Sequence, residues 1–171
     1  LGLCYMEGRG LPRNQREAVS CFARAAELWR AHVKDARWQA RILDQDHLPP
    51  DGLTRKLAAG GALYMLGYCT LYSIGNTRNA RPVDPSVKPD SRQVEAALPL
   101  FREAADMDHV GSLVMLGDLY AYGLLQSDTA TSEDEALRCY LDAAHVVDDH
   151  YSRRIALRDR TDTSVDAWMS L

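Results

Sequence analysis

The sequence predicts an all-α protein, an α/α superhelix in which antiparallel helix pairs stack into a solenoid. Two recurrences carry that expectation. The opening LGLCYMEG returns as LGDLYAYG from Leu116 and, more loosely, as LGYCTLYSIG from Leu66. Each copy is followed by a helix-start signal, then an alanine, an aromatic residue four positions on, and an Ala-Ala pair. A chain of 171 residues, 46% hydrophobic and 26% charged, can bury a single core of this kind.

The first helix of a unit is read from Leu1, Gly2, Tyr5 and Gly8, and again from Leu116, Gly117, Tyr120 and Gly123. This spacing places the leucine, the tyrosine and the later glycine on adjacent turns of one helical face. Glycine beside the leucine costs about 1 kcal/mol of helix stability against alanine, a sensible cost where two helices approach closely. The later glycine suits a left-handed residue that ends the helix. Unit two keeps Ala62, Leu66 and Gly67, but its Tyr72 and Gly75 fall two residues late. Either its first helix is longer or it carries a local bulge.

The second helices begin at capping boxes, Asn14 to Glu17 and Ser132 to Glu135, with Asp90 to Gln93 a looser version. Their packing faces are expected at Ala18, Phe22, Ala25 and Ala26; at Ala97, Phe101, Ala104 and Ala105; and at Ala136, Tyr140, Ala143 and Ala144. The small residues let a partner helix close in, with the aromatic filling the space beyond. Pro99 falls inside the second of these helices and is expected to kink it.

The four cysteines follow the same register. Cys4 and Cys69 align with Leu119, and Cys21 and Cys139 align with Leu100, so all are expected at core-facing positions as small hydrophobes. Only Cys4 and Cys21 share a unit, and they are the one pair a disulfide could join.

Insertions interrupt the repeat. The proline-rich stretch from Asn76 to Asp90 should be an exposed loop. From Ala18 to Leu43 the chain lacks glycine and proline and keeps an apolar ridge through Leu28, Val33, Ala36, Ala40 and Leu43, which predicts one overlong helix. Pro49-Pro50 ends it, and a new helix begins near Asp51. The expected organisation is one helical-repeat domain over 1–171, entered inside a repeat. Repeat 1 covers about 1–47 with an insert to 60, repeat 2 about 61–107, repeat 3 about 111–147, and a C-terminal helical cap 148–171.

These motifs resemble the Sel-one-like repeat, a relative of the tetratricopeptide repeat, through Leu-Gly-x-x-Tyr-x-x-Gly in the first helix and the late Ala-Ala in the second. The resemblance implies a right-handed solenoid and a non-catalytic adaptor or scaffold that binds a protein or peptide partner. It includes roles such as a subunit of an endoplasmic-reticulum ubiquitin-ligase assembly. The alternative it implies is an enzyme of the cysteine-rich repeat type that binds or hydrolyses β-lactams. Here, however, the cysteines are irregular and no Ser-x-x-Lys nucleophile occurs.

No reaction chemistry is legible. The chain has no GxSxG elbow, no HExxH and no Cys-x-x-Cys. GRGLPR from Gly8 is expected to be an interhelix turn rather than a phosphate loop. DMDH from Asp106 is expected to be a turn between stacked helices, and His145 and His150 stand five apart, off one helical face. No catalytic, metal or cofactor residue is assigned, and no small-molecule ligand is expected. A net charge of −4 with mixed signs argues against a nucleic-acid partner, and Arg153, Arg154, Arg158 and Arg160 read as a solvated helix face. No apolar run reaches the ~20 residues of a membrane span. The compartment stays open between cytoplasm and endoplasmic-reticulum lumen.

One partner-binding candidate emerges. Trp29 and Trp38 lie nine residues apart and point to opposing faces of the overlong helix. Trp38, flanked by Arg37 and Arg41, has the composition of an interface anchor, unless the insert folds back and buries it.

Overall fold

The computed structural model describes residues 1–33, 50–75, 88–125 and 131–149. These form α1 (Gly2–Glu7), α2 (Gln15–Val33), α3 (Pro50–Leu71), α4 (Ser91–Ala105), α5 (Val110–Ala121) and α6 over 132–149, with no strand among the described residues. Each helix packs on the next in chain order: α1 on α2, α2 on α3, α3 on α4 and α4 on α5. Tyr140 carries the series on from α5 to α6. An all-helical chain that packs neighbour on neighbour is a helical-repeat solenoid.

The Leu-Gly motif works differently from the expected close approach of two helices. An aromatic ring from the second helix lies directly over each glycine. A Cβ on Gly2 would stand 2.5 Å from the Phe22 ring, on Gly67 2.8 Å from Phe101, and on Gly117 2.5 Å from Tyr140. The glycine is therefore a seat for the ring, and the ring does not merely fill space beyond it. The alanines one turn before the rings, Ala18, Ala97 and Ala136, are all buried. Of each Ala-Ala pair one member is buried, namely Ala26, Ala104 and Ala143. The second alanine of the last pair, Ala144, is exposed.

All three first helices end in the same register. The amide of Arg9 donates to the Cys4 carbonyl at 3.0 Å, Ile74 to Cys69 at 2.8 Å, and Leu124 to Leu119 at 2.9 Å. The residue before each donor is left-handed: Gly8 (φ 76°), Ser73 (φ 52°) and Gly123 (φ 66°). This is the six-to-one bond of a Schellman ending. Unit two's first helix, Pro50–Leu71, is indeed longer than its counterparts, but the extra length lies at its start, and its end keeps the common register without a bulge. Ser73 takes the glycine's place, Thr70 takes the tyrosine's, and Tyr72 belongs to a different face. A left-handed serine costs about 1–2 kcal/mol, offset in part because its Oγ accepts from Gln93 Nε2 at 2.8 Å. Gly75 (φ 82°) has a separate reason: a Cβ there would meet Val19 at 3.1 Å and the Gln15 carbonyl at 3.2 Å, where the turn passes the start of α2.

The expected capping boxes are redistributed. Only Asp90 forms a complete one, with its side chain taking the Gln93 amide at 2.8 Å and the Gln93 side chain taking its own amide at 2.7 Å. Asn14 Oδ1 caps Arg16 and Glu17, but its own amide donates to the Tyr5 carbonyl at 2.9 Å and so ties α2 to α1. At α6 the cap is Thr131, one residue earlier than expected, with Oγ1 accepting from the Asp134 amide. Helix α4 runs unbroken through Pro99, which sits on its exposed side, where water can reach the carbonyl left without a donor.

Two apolar clusters hold the stack. One joins α3, α4 and α5 through Leu71, Val94, Ala97, Phe101, Leu116 and Leu119. The other joins α2, α3 and α4 through Ala26, Ala59, Leu63, Ala104 and Met107, with Trp29 packed against it. Leu28, assigned to the buried ridge from sequence, is instead exposed, because its neighbour Trp29 takes the inward position. Leu1 is exposed too, unlike its buried counterpart Leu116. The first cysteine set is expressed unevenly: Cys69 is buried, Cys4, Cys21 and Cys139 are half-buried, and all four are free, so Cys4 and Cys21 are not bridged. The remainder of the expected overlong helix, most of the proline-rich loop, and the C-terminal cap beyond Asp149 lie outside the described residues.

Ion pairs link neighbouring units. Arg30 grips both carboxylate oxygens of Glu103 from α2 to α4, and Lys56 of α3 meets Asp108 at 2.6 Å in the turn before α5. Both pairs are partly exposed, so they add registration more than stability.

Candidate functional site

The feature that the repeat does not need is a stripe of tyrosines. Tyr64 and Tyr68 of α3 and Tyr72, in the turn directly after it, stand four residues apart, and the Tyr72 amide still donates to the Tyr68 carbonyl at 3.1 Å, so the three line one face. Their ring centroids lie 6.3 Å and 4.7 Å apart in succession. Tyr64 anchors the stripe, resting 6.0 Å from the Phe101 ring and 4.9 Å from His109. In the repeat register these positions correspond to Val114, Asp118 and Tyr122 on α5, and the last two correspond to Leu3 and Glu7 on α1. Tyr122 is 68% exposed and Leu3 52%. The register that buries Leu116 and Leu119 thus leaves Val114, Tyr122 and Leu3 exposed, while Tyr64, Tyr68 and Tyr72 are half-buried, Tyr64 and Tyr72 against the core.

Asp118 is the charged centre of the face. Tyr140, seated on Gly117, reaches across α5 and donates its hydroxyl to Asp118 Oδ1 at 2.7 Å. That bond, with burial second, pushes the Tyr140 phenol up to about 12. Tyr64 and Tyr72 also titrate above the usual tyrosine range, first through burial, then through neighbouring tyrosines and the Asp118 charge. Tyr122 adds to the shift of both Tyr72 and Tyr140. The Asp118 charge thus acts on three phenols, Tyr64, Tyr72 and Tyr140, the last of them in direct hydrogen-bond contact. Among the described residues no lysine or arginine pairs with Asp118.

DMDH forms a turn, as its composition predicts, and each residue has a structural task. Met107 is buried, Asp108 is left-handed (φ 61°), and His109 caps α5. His109 Nδ1 accepts from the Ser112 amide at 3.2 Å, which requires the neutral ring. Burial holds its pKa below the ordinary histidine value. The unfolded chain therefore binds the proton first, so the cap's contribution is complete above about pH 6.5 and is lost as pH falls below that. The melting temperature of the parent should drop more between pH 7.5 and 5.5 than that of His109→Asn, which caps but cannot titrate. Equal drops would show that His109 is not the titrating cap.

A second open surface lies between α5 and α6, an apolar groove of about 700 Å³ lined by Val110, Val114, Tyr140, Ala143, Ala144, Val147 and Asp148. In unit two the corresponding surface is covered: a Cβ on Gly60 would stand 3.2 Å from His109 and 3.6 Å from Met107.

The sequence search missed the tyrosine face. Its signal is tyrosine at every fourth position from 64 to 72, which the repeat motif masks because Tyr72 resembles a displaced copy of Tyr5. Trp38, Arg37 and Arg41, the candidates chosen instead, lie outside the described residues. Among the described residues no group of histidine, cysteine and carboxylate side chains is arranged to hold a metal. Burial pushes the Cys69 thiol up to about 11, away from nucleophilic use. No helix among the described residues is long and apolar enough to cross a membrane.

Stacked helix pairs and ring-on-glycine seats define a helical-repeat solenoid. The chain belongs to the Sel1 repeat family, which matches it at residues 1–28, 61–81 and 111–145. Each match contains one Leu-Gly seat, and the first and third include the aromatic that occupies it. Repeats of this family are generally protein–protein interaction modules and are typically not catalytic. No curated protein and no solved structure matches the chain significantly.

Proposed function

We propose that this protein is a non-catalytic adaptor that docks a protein partner on the face formed by Tyr64, Tyr68 and Tyr72, along and just past the end of α3, with Asp118 of α5 and its C-cap Tyr122. The observation that carries the reading is the run of half-buried tyrosine rings at the edge of the core, beside Asp118 and the exposed Tyr122. Tyrosine gives large contact area at low entropic cost and is enriched among residues that dominate binding energy. The finer reading is a place in a multi-protein assembly, of which an endoplasmic-reticulum ubiquitin ligase is the example that the Sel-one-like resemblance supplies.

The test captures partners with the full chain and compares Tyr68→Ala and Tyr122→Ala with the parent. Binding of the captured partner should weaken by at least about tenfold, with melting temperatures within a few degrees of the parent. Unchanged capture by both variants would remove this face from consideration.

A further inference from the structure

Resting on that reading of the tyrosine face, we propose that the feature it recognises is a cationic side chain, an arginine or lysine of the partner, held between the tyrosine rings and Asp118. Aromatic faces attract a cation through the ring quadrupole, and a nearby carboxylate supplies the countercharge. The face offers both at one place. Tyr68 and Tyr72 present adjacent rings with centroids 4.7 Å apart and planes tilted by 50°. Asp118 lies in the same repeat position as Tyr68, one repeat along, and its charge reaches the phenols of Tyr64, Tyr72 and Tyr140.

Asp118 is also held ready. The Tyr140 hydroxyl binds Oδ1 and fixes the carboxylate without neutralising it. In units one and two the ring on the glycine is Phe22 or Phe101, which has no hydroxyl to give. The hydroxyl therefore appears only where an aspartate follows the glycine seat. Three cations on or near these elements are paired with other carboxylates: Lys56 with Asp108, Arg30 with Glu103 and Arg138 with Glu135. A guanidinium fits this setting better than an ammonium, because it is planar, stacks on tyrosine and can bind a carboxylate through two N–H groups.

The experiment titrates the full chain with the peptide acetyl-Gly-Arg-Gly-Arg-Gly-amide and with its citrulline counterpart, which keeps the shape and removes the charge. Binding is followed by the NMR shifts of the tyrosine rings. The arginine peptide should bind at least about tenfold more tightly than the citrulline peptide. Asp118→Asn keeps an acceptor for Tyr140 and should lose most of that preference, as should Tyr122→Leu at an exposed position. Asp142→Asn makes the same change in net charge on the exposed side of α6 and should behave like the parent. The proposal is overturned if the two peptides bind equally, if neither binds at millimolar concentration, or if Asp142→Asn weakens binding as much as Asp118→Asn. Capture of a protein partner that is lost in Tyr122→Ala, with arginine and citrulline peptides equal, would leave the docking face standing and sink the cation site alone.

Discussion

Phe101→Ala should cost about 3–5 kcal/mol, the largest loss of any single substitution in the described residues. Phe101 has no exposed surface and sits at the meeting of three helices. Its ring lies on Gly67 of α3, its own helix supplies Val94 and Ala97, and Leu116 and Leu119 of α5 close the cluster. Removing it empties a cavity that surrounding helices cannot easily refill, because Gly67 has no side chain to move in. In a stack whose stability is a sum of neighbour interfaces, the damage falls on two interfaces at once. Denaturant unfolding followed by circular dichroism would measure it, and a loss below about 1 kcal/mol would contradict this account of the core.

Gly67→Leu approaches the same contact from the other side and should cost about 3 kcal/mol. Bare geometry would rank it last among the three seats, since a Cβ on Gly67 stands 2.8 Å from its ring against 2.5 Å at Gly2 and Gly117. What decides the cost is whether the ring can yield. Phe101 is enclosed on all sides, whereas Tyr140 is half-exposed and can tilt toward water. Gly117→Leu should therefore cost less than Gly67→Leu, although it starts from the tighter approach. Melts of the two variants in parallel would test the ranking, and the reverse order would mean that distance alone governs these seats.

The repeat was legible in the sequence because its physics is local and periodic. Leucine, glycine, aromatic and alanine recur at fixed spacings, and each spacing maps onto one contact. What recurs less faithfully was misread. The left-handed position of unit two holds Ser73 instead of glycine, so the search for glycine slid two residues to Gly75 and took Tyr72 with it. Cap assignments failed where a better acceptor lay one residue earlier, at Thr131, or where the capping amide found a carbonyl from another helix, as Asn14 found Tyr5. Leu28 and Trp29 show the limit of a hydrophobic ridge: Trp29 packs on the core and Leu28 stays exposed, and the sequence does not say which of the two does so.

The functional face was hard to see for a different reason. A tyrosine on a helix reads equally well as core or as surface, and only the stack decides. Tyr64 lies against Phe101 and His109, while Tyr122, in the same unit-to-unit register as Tyr72, stands 68% exposed. The carboxylate at their centre comes from the neighbouring unit, and its partner Tyr140 comes from a third helix. Such a cluster exists only after stacking.

The most direct test of that cluster as a docking surface is amide hydrogen exchange on the full chain, with and without the protein partner it captures. New protection should concentrate in residues 64–72 and 114–122, the outward sides of α3 and α5, with the second helices α2, α4 and α6 unchanged. Protection confined to α2 or α6, with 64–72 and 114–122 exchanging as in the free protein, would contradict the account.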